Sequence, residues 1–168
     1  MIYATLGGVT VGICVLIRYL IKWWPGRKQL MSKPLEHLGR LLPFIYGWCY
    51  GALGTLTVMG VLGWGFDTAL WVSNWLGDAI LFLGVGESPG QVSQGVTQPL
   101  TAVGNCTVVV LTVATITAIK YTKAGKDIKA GVWSGCCLGT SAGIAGLTAV
   151  PLATAVNAIG ATLYGVIS

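Results

Sequence analysis

Residues 41–65 read LLPFIYGWCYGALGTLTVMGVLGWG, a stretch with no charged side chain. A helix that crosses the hydrocarbon core of a bilayer needs about 20 predominantly apolar residues. This stretch is long enough, and Pro43 near its beginning is where a helix tolerates proline. Runs of the same character lie on both sides. The first, about 2–21 from Ile2 to Ile21, is interrupted by Arg18 near its end, where a long side chain can snorkel to the interface. Trp23, Trp24 and Pro25 then mark a boundary. A further run at about 99–119, LTAVGNCTVVVLTVATITAI, is rich in β-branched residues that would favour a strand in water. Its length and charged flank favour a membrane helix. The last run, 130–168, is too long for one straight span, since it would reach almost 60 Å at about 1.5 Å per residue. Pro151 near its middle predicts a kink or break, with a span over about 130–151 and a continuation to 168.

The composition agrees with this reading. Only 9% of the 168 residues are charged, against 54% hydrophobic, where a soluble domain carries about a quarter charged. So few charges cannot cover a water-facing surface. The expected fold is an all-α integral membrane protein with about four transmembrane helices, in one membrane domain over 1–168.

Charge placement gives the orientation. Arg18, Lys22, Arg27, Lys28, Lys33 and Arg40 form one cluster, and Lys120, Lys123, Lys126 and Lys129 form the other. Cytoplasmic loops retain Lys and Arg, so the loops 22–40 and 120–129 are expected inside and both termini outside. Positive charge follows the first apolar run instead of preceding it, which predicts a retained anchor and not a cleaved signal. The segment 66–98 is then external, and it carries Asp67, Asp78 and Glu87 with no basic residue. Asp67, Asn74 and Asp78 recur at helical spacing within its apolar first part. An amphipathic interfacial helix near 67–85 is expected, with a re-entrant segment as the alternative. ESPGQVSQGVTQP after it reads as a connector.

Small and polar residues inside the runs supply the candidate sites. Gly131, Gly135, Gly139 and Gly143 repeat every fourth residue, and Gly47 and Gly51 do the same in the second run. Such rows let helices approach closely in lipid, so they are candidate helix-packing or oligomer contacts. Asn105 and Asn157 each require a hydrogen-bond partner at membrane depth, either on another helix or facing a pore. Arg27, Lys28, Lys33, Lys120, Lys123, Lys126 and Lys129 are candidate cytoplasmic contacts for a polyanion or for lipid. Cys14, Cys49, Cys106, Cys136 and Cys137 lie in apolar runs without metal-ligand spacing and read as packing residues. With His37 the sole histidine and no nucleophile or phosphate-loop motif, no catalytic role, metal or cofactor beyond bound lipid is expected.

The region 98–168, two apolar helices around the loop of Lys120, Lys123, Lys126 and Lys129, resembles the helical hairpin of conjugative pilins. The 97 residues before it depart from that pattern. The whole chain, and above all GCCLGTSAGIAGLTAVPLATAVNAIGATLYG, is similar in character to small plasmid-spreading membrane proteins of mycelial actinobacteria. That resemblance implies a membrane homo-oligomer working beside a DNA translocase or other membrane partners, with nucleic acid at its basic loops; a bacterial inner membrane is expected because no organelle-targeting segment is seen. The expected function is a self-associating protein that forms or lines a passage, within a conjugative DNA-transfer apparatus. The alternatives are a phage holin and a structural accessory subunit of a larger membrane complex.

Overall fold

Two threonines set the starts of the two helices whose caps are best defined. Thr5 accepts a hydrogen bond from the Gly8 N–H at 3.2 Å, and Thr101 accepts one from the Gly104 N–H at 3.1 Å. Each satisfies an amide that has no partner inside the helix. The computed structural model describes residues 4–24, 34–57, 60–86, 90–92, 100–139, 141 and 144–167. Within them lie α1 (Leu6–Trp23), α2 (Pro34–Gly54), α3 (Gly60–Val85), α4 (Ala102–Tyr121), α5 (Gly125–Gly139) and α6 (Ile144–Ile167). The described residues form no named strand. α1, α3 and α4 are long and apolar enough to cross a membrane, and their outward faces are apolar, as with Ile17, Trp71 and Val110. This is the character of a helical membrane protein.

The β-branched run in α4 is helical, as its length predicted. Its threonines turn their hydroxyls back onto the helix: Thr107, Thr112, Thr115 and Thr117 donate to the carbonyls four residues earlier, at 2.7–3.1 Å. In apolar surroundings the nearest acceptor for each hydroxyl is the carbonyl one turn back on its own helix.

Three boundaries differ from expectation. The charge-free run 41–65 is not one helix, because α2 stops at Gly54 and α3 starts at Gly60. Thr55 and Thr57 donate their hydroxyls to the Ala52 and Gly54 carbonyls at 2.7 and 2.6 Å, and Gly60 takes a positive φ of 86°. The hydroxyls thus occupy carbonyls at the end of α2, and glycine turns the chain where a side chain would be strained. The last run breaks before Ile144 and not at Pro151, which lies inside α6. There Ser141 uses both its N–H and its hydroxyl on the Leu138 carbonyl, at 3.1 and 2.9 Å. The span expected over 130–151 is accordingly a shorter helix, α5, that begins earlier, at Gly125.

The third difference concerns the helix expected to lie on the outer surface near 67–85. It begins at Gly60 and turns its polar face inward, with Asn74 buried. The Asn74 side chain accepts from the Thr5 N–H at 3.2 Å. A Cβ on Gly77 would overlap the Gly7 backbone, and one on Gly7 would overlap Asp78. Asn74 and Asp78 thus face the start of α1 instead of the surface, while Asp67, one end of the same spacing, lies near Cys136 of α5. Beyond α3, residues 90–92 lie beside the start of α1. The Leu6 N–H donates to the Gly90 carbonyl at 2.8 Å and the Val92 N–H to the Ala4 carbonyl at 3.0 Å.

Candidate functional site

The ends of α1 and α2 and the turn between α4 and α5 meet at one end of the bundle. Tyr19 and Phe44 stack there with ring centroids 4.0 Å apart and planes within 10°. The Tyr19 hydroxyl donates to the Arg40 carbonyl at 3.4 Å, and the Trp23 indole N–H donates to the His37 carbonyl at 2.8 Å. These contacts fix the C-terminal end of α1 against the first turns of α2. The α4–α5 turn closes the third side, held by bonds from the Asp127 and Ile128 amides to the Ala124 carbonyl, at 2.9 and 3.0 Å.

Between them is a cavity of about 400 Å³, lined by Tyr19, Lys22, Trp23, Arg40, Pro43, Lys123, Ala124 and Asp127. Three cationic side chains, drawn from both basic clusters of the sequence, share it with a single carboxylate. Asp127 lies in the first turn of α5, where free helix amides offset negative charge. The balance of the cavity is positive.

Of the residues proposed from sequence for polyanion or lipid contact, Lys123 lines this cavity, while Lys120, Lys126 and Lys129 are exposed on the same turn and the start of α5. The Lys120 ammonium lies 5.4 Å from the centroid of the Tyr121 ring. Arg27, Lys28 and Lys33 lie outside the described residues. Lys22, Arg40 and Asp127 belong to the same sequence clusters, but nothing in their spacing singles them out. Only the approach of α1, α2 and the α4–α5 turn identifies them.

The glycine rows have a different outcome. Cβ atoms on Gly47 and Gly51 would overlap the carbonyls of Ile128 and Val132, and on Gly131 and Gly135 those of Phe44 and Trp48. On Gly139 a Cβ would come within 2.8 Å of the Thr55 hydroxyl and 2.9 Å of the Ala52 Cα. The two rows therefore face each other, with α2 and α5 parallel and in register. Of the two readings, packing within the chain and contact with a second subunit, the first describes these glycines: the groove is filled by a helix of the same chain. Gly143 lies outside the described residues. Within 98–168, α5 packs on α2, while Asn157 and Gly160 of α6 pack back on the start of α4.

The two amides separate. The Asn157 Oδ1 accepts from both the N–H and the hydroxyl of Thr101, each at 3.1 Å, which is an interhelical bond. Asn105 is exposed and lines a largely apolar groove of about 430 Å³ with Thr57, Val61, Leu62 and Val109. A cluster that sequence did not single out lies where α1, α3 and α5 meet. The Ser134 hydroxyl donates to the Gly12 carbonyl at 3.0 Å, and the Cys137 thiol to the Ser73 hydroxyl at 3.1 Å. Both cysteines of the adjacent pair, Cys136 and Cys137, are buried, in keeping with a packing role.

Compared with models of known protein families, with curated proteins and with solved structures, the chain matches none.

Proposed function

We propose that this chain is a self-associating subunit of a membrane assembly that lines a passage for a polyanion, in the setting of a DNA-transfer apparatus. In this reading the end carrying Lys22, Arg40 and the lysine turn is the cytoplasmic mouth, and both termini lie outside. The observation that carries the proposal is the convergence of the two basic clusters on one cavity. They are separated by some eighty residues of sequence, and a topology with both loops inside requires them at the same end.

The glycine rows are occupied within the chain, so subunits would meet elsewhere. The exposed faces of α3 and α4 offer Trp64, Trp71, Val110 and Val113. Between these helices the Asn105 groove places an amide where a neighbouring subunit could bond it. Polar side chains at membrane depth commonly join helices in this way.

Reconstituted protein should bind DNA with a steep salt dependence, measured between about 50 and 200 mM salt. Changing Lys120, Lys123, Lys126 and Lys129 together to Gln should flatten the slope of log affinity against log salt by about 0.9 for each phosphate no longer neutralised. Equal binding before and after the change would remove DNA from the proposal. Native mass spectrometry of the extracted protein tests assembly, and a monomer at every concentration would remove the passage.

A further inference from the structure

We infer that the cavity lined by Lys22, Arg40, Lys123 and Asp127 holds the headgroup of an anionic phospholipid that bears free hydroxyls. The inference rests on the reading that this end of the bundle lies at the membrane surface. It goes beyond that reading in assigning one open cleft of named residues instead of a diffuse basic face.

Depth, size and charge each point to such a ligand. Trp23 and Trp24 end the apolar helix α1, and aromatic residues in that position sit at headgroup level. Lys22 and Arg40 rise from helices whose neighbouring side chains, Ile21 and Leu42, are exposed and apolar. Their charged ends thus lie where lipid phosphates are concentrated. The volume of about 400 Å³ falls in the range of small-ligand sites, roughly 300–1,000 Å³. Basic pockets between helices at the cytoplasmic surface are a recognised way of holding lipid headgroups.

The cavity is also organised. Tyr19, held in place by stacking on Phe44 behind it, forms one wall, and the Trp23 indole N–H is already engaged by the His37 carbonyl. Trp23 therefore contributes an apolar face, and the positive charge of the cavity comes from ammonium and guanidinium groups. A phosphate meets Lys22, Arg40 and Lys123. Asp127 would repel a headgroup that is phosphate alone, but it can accept from a hydroxyl carried beside the phosphate. The cavity thus favours phosphatidylglycerol over phosphatidic acid and over zwitterionic phosphatidylcholine.

The test is native mass spectrometry of the full chain in detergent, with each of these three lipids added in turn and with glycerol phosphate as the soluble competitor. Phosphatidylglycerol should remain bound at least about tenfold better than phosphatidylcholine, a difference of about 1.4 kcal/mol. Lys22→Gln and Arg40→Gln should each lose most of that preference. Lys129→Gln, which makes the same charge change outside the cavity, should keep it. Asp127→Asn should narrow the gap between phosphatidylglycerol and phosphatidic acid. Helix content by circular dichroism checks that each variant is folded. Equal retention of all three lipids, or an equal effect of Lys129→Gln, overturns the site. Full displacement by glycerol phosphate assigns it to a soluble phosphate and overturns the lipid. DNA binding by the same samples is read separately. Its loss with lipid preference intact removes the DNA reading alone, and the converse removes the lipid site alone.

Discussion

Asn157 of α6 holds Thr101 by two bonds at once, its side-chain oxygen accepting from the Thr101 N–H and from the Thr101 hydroxyl, each at 3.1 Å. Thr101 in turn caps α4 through the Gly104 N–H at 3.1 Å. One amide thus fixes both the start of α4 and the position of α6 beside it. Asn157→Leu should lower stability by about 1 kcal/mol, the scale of an interhelical hydrogen bond in a membrane protein. Asn157→Asp, which keeps the accepting oxygen, should lose less. Thermal unfolding of both variants in the same detergent decides the order.

The facing glycine rows predict a contrast between positions. A Cβ on Gly135 would overlap the Trp48 carbonyl, whereas one on Gly39 meets nothing within 4 Å. Gly135→Ala should destabilise the protein by roughly 1–3 kcal/mol, the cost of overpacking. Gly39→Ala, in the same helix as Gly47 and Gly51, should stabilise it by about 0.5–1 kcal/mol through helix propensity. Denaturant unfolding in mixed micelles measures both. Similar effects at the two sites would contradict the α2–α5 contact.

Two tyrosines tie α2 to α4. Tyr46 and Thr115 share a hydrogen bond of 2.9 Å, and Tyr50 donates to Thr112 at the same distance. A double-mutant cycle of Tyr46→Phe with Thr115→Val should give a coupling of about 0.6 kcal/mol. The pair Tyr46→Phe with Thr112→Val should couple less, since no bond joins those residues. Equal couplings would mean that the helices are not in this register.

Thiol labelling reads the packing directly. Cys14 and Cys106 are exposed on the outer faces of α1 and α4, and Cys136 and Cys137 are buried. In detergent-solubilised folded protein, where water reaches the outer helix faces, a small maleimide should modify the first pair faster than the second, and unfolding should abolish the difference. Mass mapping after proteolysis assigns the sites. Early modification of Cys137 would break the proposed neighbourhood of Ser73, Ser134 and Gly12.

The sequence by itself determined that the chain is helical and built for lipid. Hydropathy and run length need no knowledge of neighbours, because a lone helix must satisfy its own backbone in hydrocarbon. The basic clusters were equally legible, since charge is visible residue by residue. The glycine spacing told that a helix must approach closely, and Asn157 that it must find a partner. What tertiary structure decided was which helix and which partner. Gly131 and Gly135 meet the backbone of Phe44 and Trp48, more than eighty residues earlier in the chain. Asn74, which sequence spacing had turned toward the membrane surface, turns to Thr5. The breaks at 55–57 and at Ser141 were hidden because apolar threonine- and serine-containing sequence looks continuous to hydropathy, while hydroxyl groups there take the helix-end carbonyls. The cavity of Lys22, Arg40, Lys123 and Asp127 was the least legible, because it exists only where three separate chain segments are brought to one end.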